Sequence, residues 1–398
     1  MILFEKKKDC CGCTACVNIC PVGCISMKED EEGFTYPHID KDKCIECHKC
    51  ENVCPIRNNS SNSTAKKIDV ICARSNNIDV VKDSTSGGFF TPVAQYVLDQ
   101  KGKVVGAAYS TNKKIEHIII DGDNGNDLSK LRGSKYVQSD LNNTFAEVKK
   151  ELDSGVLICF SGTPCQVEGL LNYLEKDYDN LITIDLICHG TPSPKLWRKY
   201  VDYQERKYNS TVERVYFRKK TYGYHSGTME LVFENGKKYN GSARVDLMLK
   251  CFLSEISSRP CCYECSFKND THRSDFTIFD SWHAAELVKD LNDDDLGYTN
   301  VFINTDKGRK IFSIIKSQYE YYPIDKEKTI KLDGHMVFNC AIPHKKRKEF
   351  FADLDNEELN TIVQKYIPIS KKDYMIEKSK AFLYRTKLLY LLKKIKKG

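Results

Sequence analysis

The 398-residue chain is 41% hydrophobic and 29% charged, which suits a soluble protein of two or three domains with a sizeable core. It has no apolar run of the roughly 18 residues that a spanning helix needs, and the opening MILFEKKKDCC has too short an apolar core for an export signal, so a cytoplasmic location is expected. The net charge of +6 resides in the tail, where residues 378–398 hold eight Lys or Arg and no acid; the rest sums to −2, which makes nucleic acid a poor partner.

Nineteen cysteines without an export signal point to metal or cluster ligation rather than disulfides, because reducing compartments keep thiols reduced. Ten of them lie within residues 1–57, nine of these in two runs, CCGCTACVNICP and CIECHKCENVCP. Both read C-x2-C-x2-C-x3-C-P, through Cys10, Cys13, Cys16 and Cys20 and then Cys44, Cys47, Cys50 and Cys54. Three thiols at this interval suit one tight loop around a 4Fe–4S cubane, with backbone N–H groups turned toward the sulfurs. The fourth Cys, before Pro, lies beyond the loop and reaches the other cluster. Cys10, Cys13, Cys16 and Cys54 are therefore expected to hold one cluster, and Cys44, Cys47, Cys50 and Cys20 the second. Zinc also binds C-x2-C knuckles, but it needs two such pairs rather than three evenly spaced thiols followed by C-P. The segment resembles a bacterial-type two-cluster ferredoxin domain over residues 5–57. Cys11 and Cys24 fall outside the pattern and read as small, partly buried residues.

The polar stretch 58–67 reads as a linker. From Ile68 to about Gly190 strands and helices alternate: DVICA as a strand, SGGFFTPVAQYVLDQKG as loop and helix stopped at Gly102, KVVGAAY and KIEHIIID as strands, and VLICFSG and LITIDLICHG as buried strands ending in Gly turns. HGTPSPKLW turns into a helix over Leu196–Tyr208, and residues 211–245 read as β-hairpins with Asn235-Gly236 as a turn. FTIFDSW follows a cysteine-rich loop, and residues 299–398 are mixed, ending in helices.

A second constellation comprises Cys165 in SGTPCQVEGL, Cys188 in ICHGTPSP, and Cys262 and Cys265 in RPCCYECSF. Two follow apolar strands at Gly turns, where open α/β sheets place functional groups, and two form a C-x2-C knuckle. Spacing alone leaves cluster, zinc and unrelated thiols open. Cys72, Cys159, Cys251 and Cys340 stand in apolar or helical surroundings and read as core.

STSGGFF, LRGSKYVQS, GTPCQVEGL, CHGTPSP, RPCCYEC and SDFTIFDSW together resemble the coenzyme F420 hydrogenase/dehydrogenase beta-subunit family, from about Ile68 to Trp282 and more weakly through HKKRKEFF. The resemblance implies FAD, a further 4Fe–4S cluster on Cys165, Cys188, Cys262 and Cys265, and traffic between iron–sulfur centres and a hydride-exchanging substrate. Cys261 stands where the family usually has Ser, so it is a competing ligand. Phe279 stands in place of the glycine of the family's GD-x-W element, so the resemblance supports the flavin-and-cluster core more firmly than F420 as substrate. Related reductases act on pigments, and some relatives are associated with polysaccharide synthesis.

Ser86, Gly87 and Gly88 precede a helix, as an anion-binding turn would, although a plain helix cap has the same sequence. No G-x-G-x-x-G or P-loop motif occurs. Arg132 and Lys135 offer charges for phosphates and Tyr136 an aromatic face. The resemblance makes Ser86, Gly87, Gly88, Lys135, Tyr136 and Thr163 the candidate FAD residues. His189 and Asp280, with His283, are the candidate acid–base groups, against a structural role for each.

The expected fold class is thus α/β with α+β elements: a two-cluster ferredoxin domain (1–57), a linker (58–67), a mixed-sheet flavin and iron–sulfur domain (68–350) and a helical extension (351–398). The basic helix at the end carries apolar residues at Ala381, Tyr384, Leu388, Leu391, Leu392 and Ile395, a stripe that either docks on the protein or rests on an anionic membrane surface. The expected activity is electron transfer between the clusters and FAD with hydride transfer to or from F420 or another organic molecule. A ferredoxin, or a hydrogenase or dehydrogenase subunit, would be the redox partner. The alternatives are a non-catalytic relay subunit and a zinc-stabilised binding module.

Overall fold

The computed structural model describes residues 4–58, 67–110, 112–122, 127–386 and 388; most of the expected linker (59–66) and the last residues of the basic tail (389–398) lie outside them. In the N-terminal segment the cysteine repeat becomes a conformational repeat. Short helices α1 (Ala15–Asn18) and α2 (Lys49–Asn52) follow the two loops, and strands β1 (Ile25–Glu29) and β2 (Thr35–Ile39) pair antiparallel between them. Gly12 and Thr14 flank Cys13 in left-handed backbone (φ 72 and 62), and Glu46 and His48 flank Cys47 in the same way (φ 52 and 57). Non-glycine residues in that region cost about 1–2 kcal/mol each, so the loop shape is imposed by its surroundings rather than by local preference.

The chain continues through β3 (Asp69–Ser75), helices α3 (Ile78–Asp83) and α4 (Phe90–Asp99), β4 (Lys103–Ser110), β5 (Lys114–Asp121), α5 (Thr144–Asp153), β6 (Ile158–Ser161), α6 (Pro164–Leu174) and β7 (Leu181–Leu186). Helix α7 (Pro194–Tyr208), strands β8 (Val212–Lys219), β9 (Thr228–Phe233) and β10 (Lys238–Ser242), helix α8 (Leu247–Leu253), β11 (Phe276–Ser281), β12 (Tyr298–Ile303) and β13 (Tyr319–Pro323) complete the scaffold. Eight strands form one sheet in the order β13-β3-β12-β11-β7-β6-β4-β5, and β8, β9 and β10 form a second, antiparallel sheet. Strands β11, β7, β6 and β4 run parallel side by side, and β3 shares their direction because it is antiparallel to β12, itself antiparallel to β11. The apolar runs of β6 and β7 are buried because both faces of this central zone are covered. The turn after α4 departs from expectation in detail: Lys101 takes the left-handed position (φ 57), and Gly102 is required because a Cβ there would meet the Leu157 carbonyl at 2.4 Å.

Trp197 on α7 is fully buried against Phe217 (ring centroids 4.9 Å) and Tyr200 (5.6 Å). Phe34 and Tyr36 of the β1–β2 segment belong to the same core, and Arg347 grips Glu32 through both terminal guanidinium nitrogens, at 2.7 and 2.5 Å. The cysteine-rich N-terminal segment is thus embedded in the scaffold.

His117 on β5 is buried, stacked on Phe160 at 5.4 Å with Nε2 3.0 Å from the Ser161 carbonyl, and burial pulls its pKa from 6.5 down to about 4. The unfolded chain therefore binds a proton there that the folded chain refuses. Stability should fall by up to about 3 kcal/mol as pH drops from about 6.5 through about 4, and His117→Phe should flatten that part of the profile in denaturant titrations.

The helix Lys371–Arg385 is anchored at Glu377, whose carboxylate accepts from the Ser242 N–H (3.0 Å) and hydroxyl, and Tyr384 packs edge-on to Tyr222 at 5.2 Å. Phe382 and Leu388 stay exposed, while Leu391, Leu392 and Ile395 lie outside the described residues. Among the described residues no helix is long and apolar enough to cross a membrane.

Candidate functional site

Three cavities collect the twelve cysteines of the two constellations. The first, about 420 Å3, is lined by Cys10, Cys13, Cys16 and Cys54. The second, about 290 Å3, is lined by Cys20, Cys44, Cys47 and Cys50. Each quartet thus combines three thiols of one repeat with the distant fourth thiol of the other, as the crossed pattern requires. The third, about 610 Å3, is lined by Cys165, Cys188, Cys262 and Cys265, together with Cys11, Cys261, His189, Lys268 and His272. The cavities adjoin: Cys50 lines the second and the first, and Cys11 and Ile56 line the first and the third. Their order in space is therefore second, first, third.

Backbone N–H groups turn toward the thiols, Gly12 toward Cys10, Ala15 toward Cys13 and Val17 toward Cys16, while the Cys24 N–H reaches Cys20 Sγ at 3.4 Å. The left-handed residues flanking Cys13 and Cys47 produce this inward turn. Such donors offset negative charge on a cluster, so donor type, number and surroundings all fit a 4Fe–4S group at the first and second sites. Burial pushes the thiols of Cys16 and Cys188 upward, so any metal that binds these sulfurs has to displace their protons.

The third site is assembled at the carboxyl edge of the parallel strands. Thr163 caps α6 just after β6 and places Cys165, whose Sγ lies 3.2 Å from Thr163 Oγ1. Cys188 follows β7, and Cys262 and Cys265 lie on and just after the single-turn helix Pro260–Glu264. The Cys261 thiol and Thr191 lower the Cys262 pKa against the opposing effect of burial. Lys268 Nζ donates to the Cys188 carbonyl and, at 2.9 Å, to that of Met336, which keeps a cation at the cavity wall.

Cys72, Cys159 and Cys251 are core, as expected, but Cys340 is not: its sulfur accepts from the Cys265 N–H at 3.2 Å beside the third site. Cys11 and Cys24 are buried, yet not merely filler. Cys24 lines the second cavity with its sulfur 3.4 Å from Cys20 Sγ, and Cys11 stands between the first and third cavities, in contact with Cys13 and Cys165. The adjacent cysteines 10 and 11 were the only sequence signal of that bridging position, and spacing could not interpret it.

Two of the flavin-candidate loops meet. Thr85 Oγ1 accepts from the Ser134 N–H at 2.8 Å, which ties the Ser84–Gly88 turn to the loop carrying Lys135 and Tyr136. Ser86, Lys135 and Tyr136 are half-buried there. Lys135 Nζ donates to the carbonyls of Lys130 (3.0 Å) and Arg132 (2.8 Å), and desolvation pulls its pKa down to about 7. Gly87 is packed within the sheet, where a Cβ would meet the Ala73 carbonyl at 2.4 Å, and its N–H is satisfied by Thr299 Oγ1 at 2.9 Å. Gly88 is buried with φ 78. Thr163 lies beside Cys165, and its N–H donates to Gln166 Oε1 at 3.0 Å, while Gln166 Nε2 donates to Ser139 at the end of the Lys135–Tyr136 loop at 2.9 Å. Ser86, Lys135 and Tyr136 could hold a phosphate and an aromatic ring. Tyr136 stacks on Phe252 at 4.5 Å, and Phe252 meets the His189 ring at 5.1 Å, so an aromatic contact runs from this neighbourhood to the third site.

The acid–base candidates are held by other side chains. His189 Nε2 bonds to Glu255, and Asp280 is paired with Arg218 at 2.6 Å and accepts from Tyr224 at 3.0 Å. His283 Nδ1 sits 2.6 Å from Asp333. Trp282, at the end of the same strand, stacks on Tyr224 at 4.6 Å with the Arg218 guanidinium 4.7 Å over its ring. Phe279 packs edge-on to Phe302 at 5.2 Å.

This is an iron–sulfur redox protein: a mixed α/β scaffold with a ferredoxin-type segment set into it. Residues 9–58 match the 4Fe-4S dicluster domain, and residues 156–327 match the model for the C terminus of the coenzyme F420 hydrogenase/dehydrogenase beta subunit. Over these two segments the chain is similar to a dicluster ferredoxin domain and to the C terminus of the F420 hydrogenase/dehydrogenase beta subunit, which relates it to iron–sulfur redox subunits. Among solved structures it is similar to a chain of the F420-reducing [NiFe] hydrogenase complex from Methanosarcina barkeri, at 18% identity and a TM-score of 0.45, over 77% of this chain and 95% of that one. No curated protein matches.

Proposed function

We propose that this chain is a cytoplasmic iron–sulfur flavoprotein that exchanges electrons, one at a time, with a ferredoxin or a hydrogenase or dehydrogenase subunit, and exchanges hydride with an organic substrate. The carrying observation is the adjacency of the three cysteine-lined cavities, second to first through Cys50 and first to third through Cys11 and Ile56. In this reading Cys165, Cys188, Cys262 and Cys265 hold a third 4Fe–4S cluster, and FAD lies along Ser86, Lys135 and Tyr136. FAD, when bound, supplies the conversion between one-electron and hydride chemistry, which is the reason to join it to clusters. The chain's own residues bury the thiols, aim N–H groups at them and keep Lys268 at the wall of the third cavity, near the expected negative charge. The substrate is F420 or another electron-poor organic molecule.

A second reading, a relay subunit without its own hydride chemistry, is favoured by the self-satisfied state of Gly87 and Lys135. In that case the chain hands electrons on within a larger complex, one setting for which is polysaccharide synthesis. Protein purified without air should contain about twelve irons per chain and release FAD on denaturation. Full iron without flavin selects the relay; absence of both iron and sulfide removes both readings.

A further inference from the structure

Arg259 precedes the third-site cysteines Cys261 and Cys262 in sequence, yet its side chain enters the N-terminal segment. It is fully buried. Its Nε donates to the Cys10 carbonyl at 2.8 Å, Nη1 to Gln138 Oε1 at 2.8 Å, and Nη2 to the Thr35 carbonyl at 3.0 Å and to Cys10 Sγ at 3.6 Å. The guanidinium lies over the rings of Tyr36 (4.2 Å) and Phe34 (5.5 Å). Gly12 makes room for it, since a Cβ there would meet Arg259 Nη1 at 2.9 Å and Gln138 Nε2 at 2.5 Å.

Among the described residues no carboxylate pairs with this cation; the groups that bear on its charge are Cys10, Cys261, Tyr36 and Cys11. A buried charge without a partner is costly, and aromatic faces return only part of that cost. The missing counter-charge is supplied if Cys10 belongs to a cluster, because four thiolates on a cubane leave a net negative charge that grows by one on reduction. A cation and an N–H donor at the sulfur stabilise the reduced state more than the oxidised one.

We propose that Arg259 sets the reduction potential of the first-site cluster, making the middle position of the three the one that best retains an electron. The proposal rests on the cluster reading of the first site. When an electron passes from the second site to the first, the second is oxidised and the first reduced, with no bond made and no proton moved. Arg259 meets the added charge without rearranging. Its effect is graded: direct at Cys10, weaker at Cys261 and Cys262, and weakest at the second site, none of whose thiols is among its hydrogen-bond partners.

The test is a dithionite redox titration of the full chain, purified without air and followed by electron paramagnetic resonance. The first-site signal is identified by its absence in Cys16→Ser. At the potential where that cluster is half reduced in the wild type, Arg259→Met should lower its reduced-to-oxidised ratio at least tenfold, or 59 mV for one electron, with a smaller fall at the third site and none at the second. Arg259→Lys should recover part of the loss, and Gln138→Leu, which frees the fork, should shift the ratio in the same direction by less. If Arg259→Met loses its clusters, the Lys and Gln138→Leu variants carry the test. A full iron complement with an unmoved first-site ratio in those variants, or an equal shift at all three sites, overturns the role of Arg259 and leaves the cluster assignment standing. A wild-type chain without iron overturns the cluster assignment itself.

Discussion

Replacing Cys188 with alanine is expected to lower the iron content of anaerobically purified protein from about twelve atoms per chain to about eight, with sulfide falling in proportion. Cys188 is the clearest probe of the third site. It follows β7, lines the third cavity and has no cysteine next to it in sequence that could replace it. Cys262 would be a poorer probe because Cys261 is adjacent and lines the same cavity. The first and second sites draw none of their quartets from residue 188, so their signals should persist. Zinc at the third site would give a different result: about eight irons in both proteins, and one zinc lost on substitution. Electron delivery to an acceptor at the far end should stop in either case.

The second large effect is expected from a residue outside every cysteine motif. Gly169 lies on α6, where a Cβ would meet both Cβ and Sγ of Cys13 at 2.9 Å. Valine adds two methyl groups beyond that Cβ, and the close-packed interior offers no slack. Helix α6 is fixed by its capping box, so the Cys13 loop has to move. Gly169→Val should therefore cost the first-site cluster, lowering iron to about eight while the third-site signal remains. Optical and paramagnetic spectra of the variant, with iron analysis, check this. Retention of all three signals would mean that the N-terminal loop is not seated on α6 as described.

The chemistry of the first two sites was legible in the sequence because a cluster loop is a local object. Three thiols at x2 spacing and a C-P anchor specify it within a dozen residues, and the repeat gave the crossing. The strands DVICA, KVVGAAY, KIEHIIID, VLICFSG and LITIDLICHG were likewise readable from apolar runs and their breaks, as was the Asn235-Gly236 turn, where Gly236 takes φ 78. Resemblance, rather than spacing, pointed to the third quartet, and its thiols do come to one cavity. A Ser-Gly-Gly turn reads alike in sequence whether its space is kept for a ligand or for a neighbouring strand; at Gly87 the Ala73 carbonyl and Thr299 lie against the backbone.

What the sequence determined alone is therefore what acts over a few residues: cysteine spacing, strand and helix periods, caps and turns. The tertiary structure decided which thiols share a wall, that Cys340 sits at Cys265, that Cys11 stands between two cavities, and that Arg259 lies against Cys10 across 249 positions of chain. Those contacts join segments far apart in sequence. They follow from how the N-terminal loops seat against α6 and the carboxyl edge of the sheet, and no local pattern encodes that seating.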